Sequence, residues 1–369
     1  MIKTKELFKF LTKNKINFFS GVPDSILKGT KNYFEKKSKN NHIIAANEGL
    51  AVSACIGYNL ATKKLPCVYL QNSGLGNTIN PIISIAHKKV YGIPLFMLIG
   101  WRGAPGTPDE PQHQAKGNIT LKLLKLLDIK YCVINKTEDF IKAKKILDFA
   151  KKNNSIVACL IKKNTLFENK KDIKKIIVKK NGINREYFLK KLLEKIDKNT
   201  QIVSTTGFTS RELFQSRSKY NLKKGSDFYM VGGMGHSSMV ALGLSMNKKN
   251  QILCLDGDGS LLMHMGSIAN VGFYAKKNFK HLVFNNFCHE SVGGQKTNTE
   301  NLKFKDLALG AGYKNYYLLK AKKDLSRILK TFFYSKGPSM LEVITKNESM
   351  KNLNRPKNLY QIKKNFINN

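Results

Sequence analysis

The chain has no C-x-x-C spacing. Its 6 cysteines, Cys55, Cys67, Cys132, Cys159, Cys254 and Cys288, are scattered. That pattern suits reduced thiols in a cytoplasmic protein rather than a disulfide scaffold. The opening residues, MIKTKEL, lack a long apolar core and read as an amphipathic helix, not a secretory leader. No run approaches the length of a membrane-spanning helix. Acidic residues are scarce: 25 against 64 Lys+Arg, for a net charge of +39. Taken alone, that charge would point to nucleic acid or an anionic membrane. However, the excess is mostly lysine, spread over the whole chain beside abundant Asn and Ile. Nucleic-acid readers lean on arginine and group their charge. The excess therefore reads as compositional drift on solvated faces, with a general attraction for anionic metabolites. Neither a nucleic acid nor a membrane is expected as a partner.

What is present is enough for two domains. The chain has 369 residues, 42% of them hydrophobic. Strand patterns fall near 43–46, 67–71, 95–101, 131–135 and 156–161, then near 202–205, 228–231, 252–255, 281–284 and 340–344. Helical patterns lie between them, including 48–61, 137–151, 237–244 and 261–275. Alternation of this kind predicts an α/β protein of two doubly wound parallel-sheet domains. Ligands in such sheets bind at the carboxyl ends of the strands. The boundaries read as 1–166, a linker 167–183 rich in Lys and Asn, a second domain 184–348, and a polar tail 349–369. One short strand is expected at Ile176-Ile177-Val178. The tail reads either as a short helix or as disordered.

The strongest chemical signal is Gly257-Asp258-Gly259-Ser260, followed one helix and one strand later by Asn285-Asn286. An acid and an amide thus end neighbouring strands. Asp258 is a hard oxygen ligand and the Asn286 side chain supplies a second. The glycines let backbone approach a diphosphate at a helix N-terminus. Mg²⁺ favours few protein ligands completed by phosphate oxygens. Without the Asn pair, the same tetrapeptide would read as a plain strand–turn–helix.

Other positions are weaker alone. Glu48 opens a helix after an apolar strand. It is either a first-turn acid favoured by the helix dipole or a partly desolvated group able to hold a proton near neutral pH. Val231-Gly232-Gly233-Met234-Gly235-His236 is a Gly-rich turn between strand and helix. Thr205-Thr206-Gly207 ends a strand. Asp24 and Ser25 precede a helix and could cap it. Gln112 and His113 lie in a loop after the strand ending at Trp101. Asp24, Glu48 and His113 each follow a strand of the first half, so they can meet at one sheet edge.

Together these residues resemble the phosphonopyruvate decarboxylases, a branch of the thiamine-diphosphate-dependent 2-oxo-acid decarboxylases. The likeness rests on GVPDS (21–25), NEGLA (47–51), NSGLGN (72–77), GWRGAPG (100–106), DEPQHQ (109–114), TTG with REL (205–213), GGMGHSS (232–238), LDGDGSLLMHMG (255–266) and NNFCHESVGGQKT (285–297). It fails only in the tail. It implies a pyrimidine-binding domain followed by a diphosphate- and Mg²⁺-binding domain, with no middle domain. The implied reaction converts 3-phosphonopyruvate to phosphonoacetaldehyde and CO2 through a ylide and an enamine of the cofactor, a step of phosphonate biosynthesis.

The resemblance also assigns roles. Glu48 would face N1′ of the aminopyrimidine. Met234 would wedge under the cofactor, with Gly232 on the pyrimidine edge. Thr206, Gly257, Gly259 and Ser260 would lie near the phosphates. Asp258, Asn286 and the Cys288 carbonyl would hold Mg²⁺. Asp24 and His113 would handle protons, and His289 and Glu290 would point toward the reacting centre. The phosphonate needs cationic or N–H partners: Arg102 leads, with Ser25, Asn77 and Gln112 beside it and Lys296 weaker. The active site would form between chains, so at least a homodimer is expected. Two departures stand out. Phe287-Cys288 replaces the usual small residues, so that Phe287 is expected to narrow the pocket, and Lys296 replaces a common Pro. Sulfopyruvate decarboxylase and an acetolactate-type carboligase are the rival activities.

Overall fold

A computed structural model describes residues 1–30, 33–34, 41–167 and 182–368. It divides into two compact units, Met1–Ile176 with Val292–Gln295, and Ile177–Ser291 with Lys296–Asn369. Among the described residues, each unit is built on one six-stranded sheet in which every pairing is parallel.

In chain order the strands are β1 (Ile2–Lys3), β2 (Phe19–Gly21), β3 (His42–Ile44), β4 (Cys67–Gln71), β5 (Phe96–Trp101), β6 (Lys130–Ile134), β7 (Val157–Lys162) and β8 (Leu166–Phe167). They continue with β9 (Gln201–Ser204), β10 (Ser226–Tyr229), β11 (Ile252–Gly257), β12 (Phe279–Asn285), β13 (Asn315–Leu319) and β14 (Ser339–Ile344). The first sheet runs β3-β2-β4-β5-β7-β6 and the second β10-β9-β11-β12-β14-β13. Counted from its own first strand, each has the order 2-1-3-4-6-5. The two-residue strands β1 and β8 pair separately.

Alternation along the central strands divides each sheet between two cores, as the period-2 pleat requires. Val68, Leu70, Met97 and Ile99 enter one cluster, while Cys67, Tyr69, Phe96 and Leu98 enter the cluster on the other face. In the second unit Leu253 and Leu255 join one cluster and Ile252 and Cys254 the other. β5 and β12 are buried throughout: β5 carries the apolar run that burial on both faces favours, whereas β12 includes Lys280 and His281, which meet Ser335 Oγ at 3.0 Å and the Tyr313 hydroxyl at 2.8 Å. Edge strands β3 and β10 are only partly buried.

The doubly wound architecture is as expected, and no middle domain intervenes. Two details depart from the sequence reading. The helix expected over 261–275 is two helices, Asp258–Met263 and Ser267–Tyr274. His264 leaves the helical region at φ −134°, ψ 53°. Strands β2 and β13 were not anticipated, one for its brevity and the other because NYYLL is mostly half-buried. The tail carries the helix Leu359–Ile367, with Phe366 buried. The strand expected at Ile176-Ile177-Val178 lies outside the described residues. Among the described residues no helix is long and apolar enough to cross a membrane.

Candidate active site

In this strand order the chain reverses direction between the first and third strands of each sheet. That switch point leaves a crevice beyond the carboxyl ends. It lies between β2 and β4 in the first unit, and between β9 and β11 in the second. Both crevices hold buried carboxyl groups.

In the first unit Asp24 follows β2 and is 2% exposed. Its Oδ1 accepts from Gln71 Nε2 at 2.7 Å and its Oδ2 from the Leu27 N–H at 3.2 Å. Burial raises its pKa, and the Gln71 hydrogen bond opposes that only in part. Glu48 begins the helix Glu48–Thr62, capped by Asn47 Oδ1 on the Leu50 N–H at 3.0 Å. Its carboxylate is buried, its pKa raised by desolvation, and its Oε2 accepts from Asn77 Nδ2 at 2.7 Å. The carboxylate occupies the space where Gly74 has no side chain: a Cβ there would sit 2.1 Å from Glu48 Oε1.

Arg102 follows β5. Its Nε and Nη2 donate to Asp109 at 2.7 and 2.5 Å, and its Nη1 to Ser25 Oγ at 3.2 Å. Asn72 clasps the Arg102 backbone with both ends of its amide, at 2.9 and 3.0 Å. Burial pushes the Asp109 carboxyl up, but Arg102 and the Glu110 N–H pull it below the usual carboxylate range. Gln112 and His113, read from the sequence as loop residues, instead occupy the first turn of the helix Pro111–Leu126, half-buried, because Pro111 opens a helix at its first position. Asp24, Glu48 and His113 all come after the ends of parallel strands, as the sequence predicts for a shared sheet edge.

The second unit contains a cavity. Its wall includes Thr206, Met234, Gly257, Asp258, Gly259, Ser260, Asn286, Cys288, His289 and Glu290. Gly232, in the same loop as Met234, is half-buried and does not line it. Asp258 is the first helical residue after β11 and is 3% exposed. Its Oδ2 accepts from the hydroxyls of Thr297 at 2.6 Å and Thr299 at 3.1 Å. Burial nevertheless pushes its pKa up to about 6. Ser260 Oγ meets Thr205 Oγ1 at 2.8 Å and accepts from the Gly235 N–H at 3.1 Å, tying the Gly-rich loop to the β9 and β11 ends.

Asn286 Oδ1 accepts from the Cys288 N–H at 3.1 Å. Between them Phe287 takes φ 62°, a left-handed conformation that an L side chain adopts at a cost. This explains why the position suits a small residue. Phe287, expected to narrow the pocket, does not line this cavity. The His289 ring lies over Gly259, and burial lowers its pKa to about 4. Lys296 is exposed and pairs with Glu300 at 3.1 Å.

Sequence reasoning missed Arg185, Thr205, Phe208 and Thr209, which also line the cavity. Arg185 is buried. Its Nε donates to Glu212 Oε2 at 2.6 Å and its Nη2 to Glu290 Oε2 at 3.2 Å. The distance along the chain between these partners left no local motif to find.

Comparison with known proteins agrees with this geometry. The thiamine pyrophosphate enzyme N-terminal TPP binding domain matches residues 3–124, and the C-terminal TPP binding domain matches residues 206–343. The molecule is a thiamine-pyrophosphate enzyme. A phosphonopyruvate decarboxylase of Streptomyces viridochromogenes is 32% identical, covering 97% of this chain and 92% of its own length. One from Streptomyces hygroscopicus is 29% identical over 97% of this chain and 91% of its own. A sulfopyruvate decarboxylase of Methanosarcina acetivorans is 27% identical over 86% and 85%. The chain belongs to the phosphonopyruvate decarboxylase family, and with it to the carboxy-lyases.

Proposed function

We propose that the chain converts 3-phosphonopyruvate to phosphonoacetaldehyde and CO2, with thiamine diphosphate and Mg²⁺. The observation that carries the reading is the cavity of the second unit, where Asp258, Asn286 and Cys288 border the same space as Thr206, Met234, Gly259 and Ser260. A carboxylate, an amide oxygen and a backbone carbonyl make a hard donor set, the kind that would hold Mg²⁺ together with phosphate oxygens. Among the described residues, the side chains that hold Asp258 are the hydroxyl donors Thr297 and Thr299, with no cationic side chain to compete with the ion. The residues fit the group.

The bound thiazolium supplies the electron sink for decarboxylation. The protein supplies the rest. Glu48, buried with a raised pKa, exchanges a proton with the pyrimidine edge. Asn77 keeps its carboxylate in one orientation. Asp24, His113 or a water they position would deliver the proton that completes the aldehyde. Arg102, locked in plane by Asp109, presents its guanidinium with Ser25 to the phosphonate, and Gln112 adds a donor. The first unit would take the pyrimidine and the second the diphosphate. The working form is at least a homodimer, and a fully active monomer in sedimentation under assay conditions would end that part of the reading. Six cysteines without a disulfide fit a reducing cytoplasm.

The sulfopyruvate decarboxylase relative favours one second reading, because a sulfonate differs from a phosphonate by one charge and a proton. Phosphorus NMR of the purified protein with phosphonopyruvate, thiamine diphosphate and Mg²⁺ separates them. Cofactor-dependent phosphonoacetaldehyde, absent in Asp258→Ala, is the expected result. Unchanged phosphonopyruvate, from protein shown to bind the cofactor, would transfer the assignment to sulfopyruvate or to carboligation.

A further inference from the structure

Asn285, the last residue of β12, and Asn286 just beyond it are each held by a carboxylate, with different consequences. Asn285 Nδ2 donates to Glu342 Oε1 at 2.7 Å, and Tyr316 holds the other oxygen of that carboxylate. Its own Oδ1 accepts from the Phe287 N–H at 3.2 Å. Asn285 is therefore spent on shaping the loop. Asn286 Nδ2 donates to Glu290 Oε2 at 3.1 Å. Its Oδ1 accepts one backbone N–H, from Cys288, and keeps a second lone pair.

Glu290 Oε2 accepts from the Arg185 guanidinium, which only donates, so that oxygen faces Asn286 as an acceptor. It therefore selects the N–H₂ end of the Asn286 amide and turns the oxygen the other way. Glu290 in turn is fixed by the buried Arg185, which Glu212 grips through Nε at 2.6 Å and Nη2 at 3.4 Å. Glu212 Oε1 also accepts from the Met350 N–H at 2.8 Å. The chain of contacts runs from two helices and the tail segment to one amide.

We infer that Glu290 is a positioning residue: anchored by Arg185 and Glu212, it sets the Asn286 amide so that Oδ1 meets the cation. It does not carry protons at the reacting carbon. The inference rests on the cation site proposed above. The test is Mn²⁺ binding, followed by electron paramagnetic resonance on the full-length protein with thiamine diphosphate. Removing an outer partner of this kind costs about 10- to 100-fold in metal affinity.

Glu290→Ala should weaken Mn²⁺ binding by that amount, and adding it to Asn286→Ala should weaken binding less than about two-fold further. Glu290→Gln, whose Oε1 still accepts from Asn286, should restore most of the affinity. A proton carrier would leave Gln as inactive as Ala and Mn²⁺ binding untouched. Unchanged affinity in Glu290→Ala, or an equal loss in both backgrounds, overturns the inference. Arg185 keeps Glu212 as a charge partner in either variant. If Glu290→Ala does not fold, Glu290→Gln in the two backgrounds decides by the same comparison: a smaller loss confined to the Asn286 background supports it, and any other result overturns it. Asp258→Ala separates the levels: if that protein binds Mn²⁺ as wild type does, the cation site itself is wrong.

Discussion

The two units share a strand order and a switch point, yet they furnish it with opposite chemistry. Beyond β2 and β4, carboxyl groups are held by side-chain amides, Gln71 on Asp24 and Asn77 on Glu48, and burial biases them toward the protonated form. Beyond β9 and β11, a cavity is lined by hydroxyls, a Gly-rich loop, Asn286 and two acids, Asp258 held by hydroxyls and Glu290 held by Arg185. In the function proposed above, one fold would thus support proton handling in one copy and anion–cation binding in the other. A site's chemistry follows from the residues set on the scaffold, not from the scaffold.

The widest separation between the units should come from their two acids. Glu48→Gln should keep thiamine diphosphate and Mg²⁺ affinity within a few-fold while kcat falls by about 10³, the scale of lost acid–base chemistry. Asp258→Ala should lose cofactor binding itself, read by titration calorimetry. If Glu48→Gln abolished binding to the same degree, the division of labour between the units would collapse.

The glycines beside these groups give the next contrast. In Gly74→Ala the new Cβ would overlap Glu48 Oε1, Cδ and Cγ at 2.1, 2.2 and 2.6 Å. The carboxylate must leave, and activity should fall by about 10²-fold, consistent with misplacing a reacting group. In Gly259→Ala the nearest atoms belong to the His289 ring, at 2.8 and 2.9 Å, and Thr297 Cγ2 lies at 3.1 Å. A ring on a loop can tilt, so the loss should be about ten-fold and appear as weaker cofactor affinity.

How much of this could be read from the sequence depended on whether the signal was local. Strands β4 and β11 were legible because burial on both faces demands an unbroken apolar run. Strand β2 was not: three residues carry no period. The helix break at His264 was hidden because the apolar pattern continues through it. At the break the His264 ring packs against Gly235, where a Cβ would come within 2.6 Å of it, a contact that no local pattern encodes. Asp258 and Asn286 stood out because their spacing encodes a strand–helix–strand unit. Arg185 and Glu212 meet 27 residues apart on two helices, with ordinary helical surroundings. Nothing near either one marks the pair. Glu290 was visible as a charged residue near the site, but its partners were not, so its role could not be read.

A matched pair of arginines tests the substrate assignment. Arg102 grips Asp109, and Arg217 grips Asp227 through Nε and Nη2 at 2.8 and 2.6 Å. Both acids are nearly buried, with side chains 4% and 5% exposed. Breaking either pair leaves an uncompensated charge, so Arg102→Met and Arg217→Met should each lose about 2–4 kcal/mol of stability. Only Arg102→Met should also raise KM for phosphonopyruvate, by about 30-fold, as loss of a charge-assisted contact implies. Equal KM values in the two variants would reduce Arg102 to a structural residue.

The smallest expected effect concerns the equivalent edge strands. On β10, Asp227 takes Arg217 and the Tyr229 hydroxyl. On β3, His42 is stacked on Phe34 with centroids 4.7 Å apart, and its Nε2 meets the Tyr69 hydroxyl at 2.9 Å. Burial lowers the His42 pKa to about 4, from 6.5. The unfolded chain then binds more protons between these values, so stability falls as the pH falls. The contribution is complete above pH 6.5 and lost as the pH drops through 4. A fully buried shift of this size would be worth about 3 kcal/mol, and partial exposure reduces that to about 2 kcal/mol. His42→Gln should flatten this part of the stability profile. Hydrogen exchange, corrected for intrinsic rate, should show β2 and β3 losing protection near pH 5 before β9 and β10 do. Simultaneous loss in both sheets would mean that the acid response does not originate at His42.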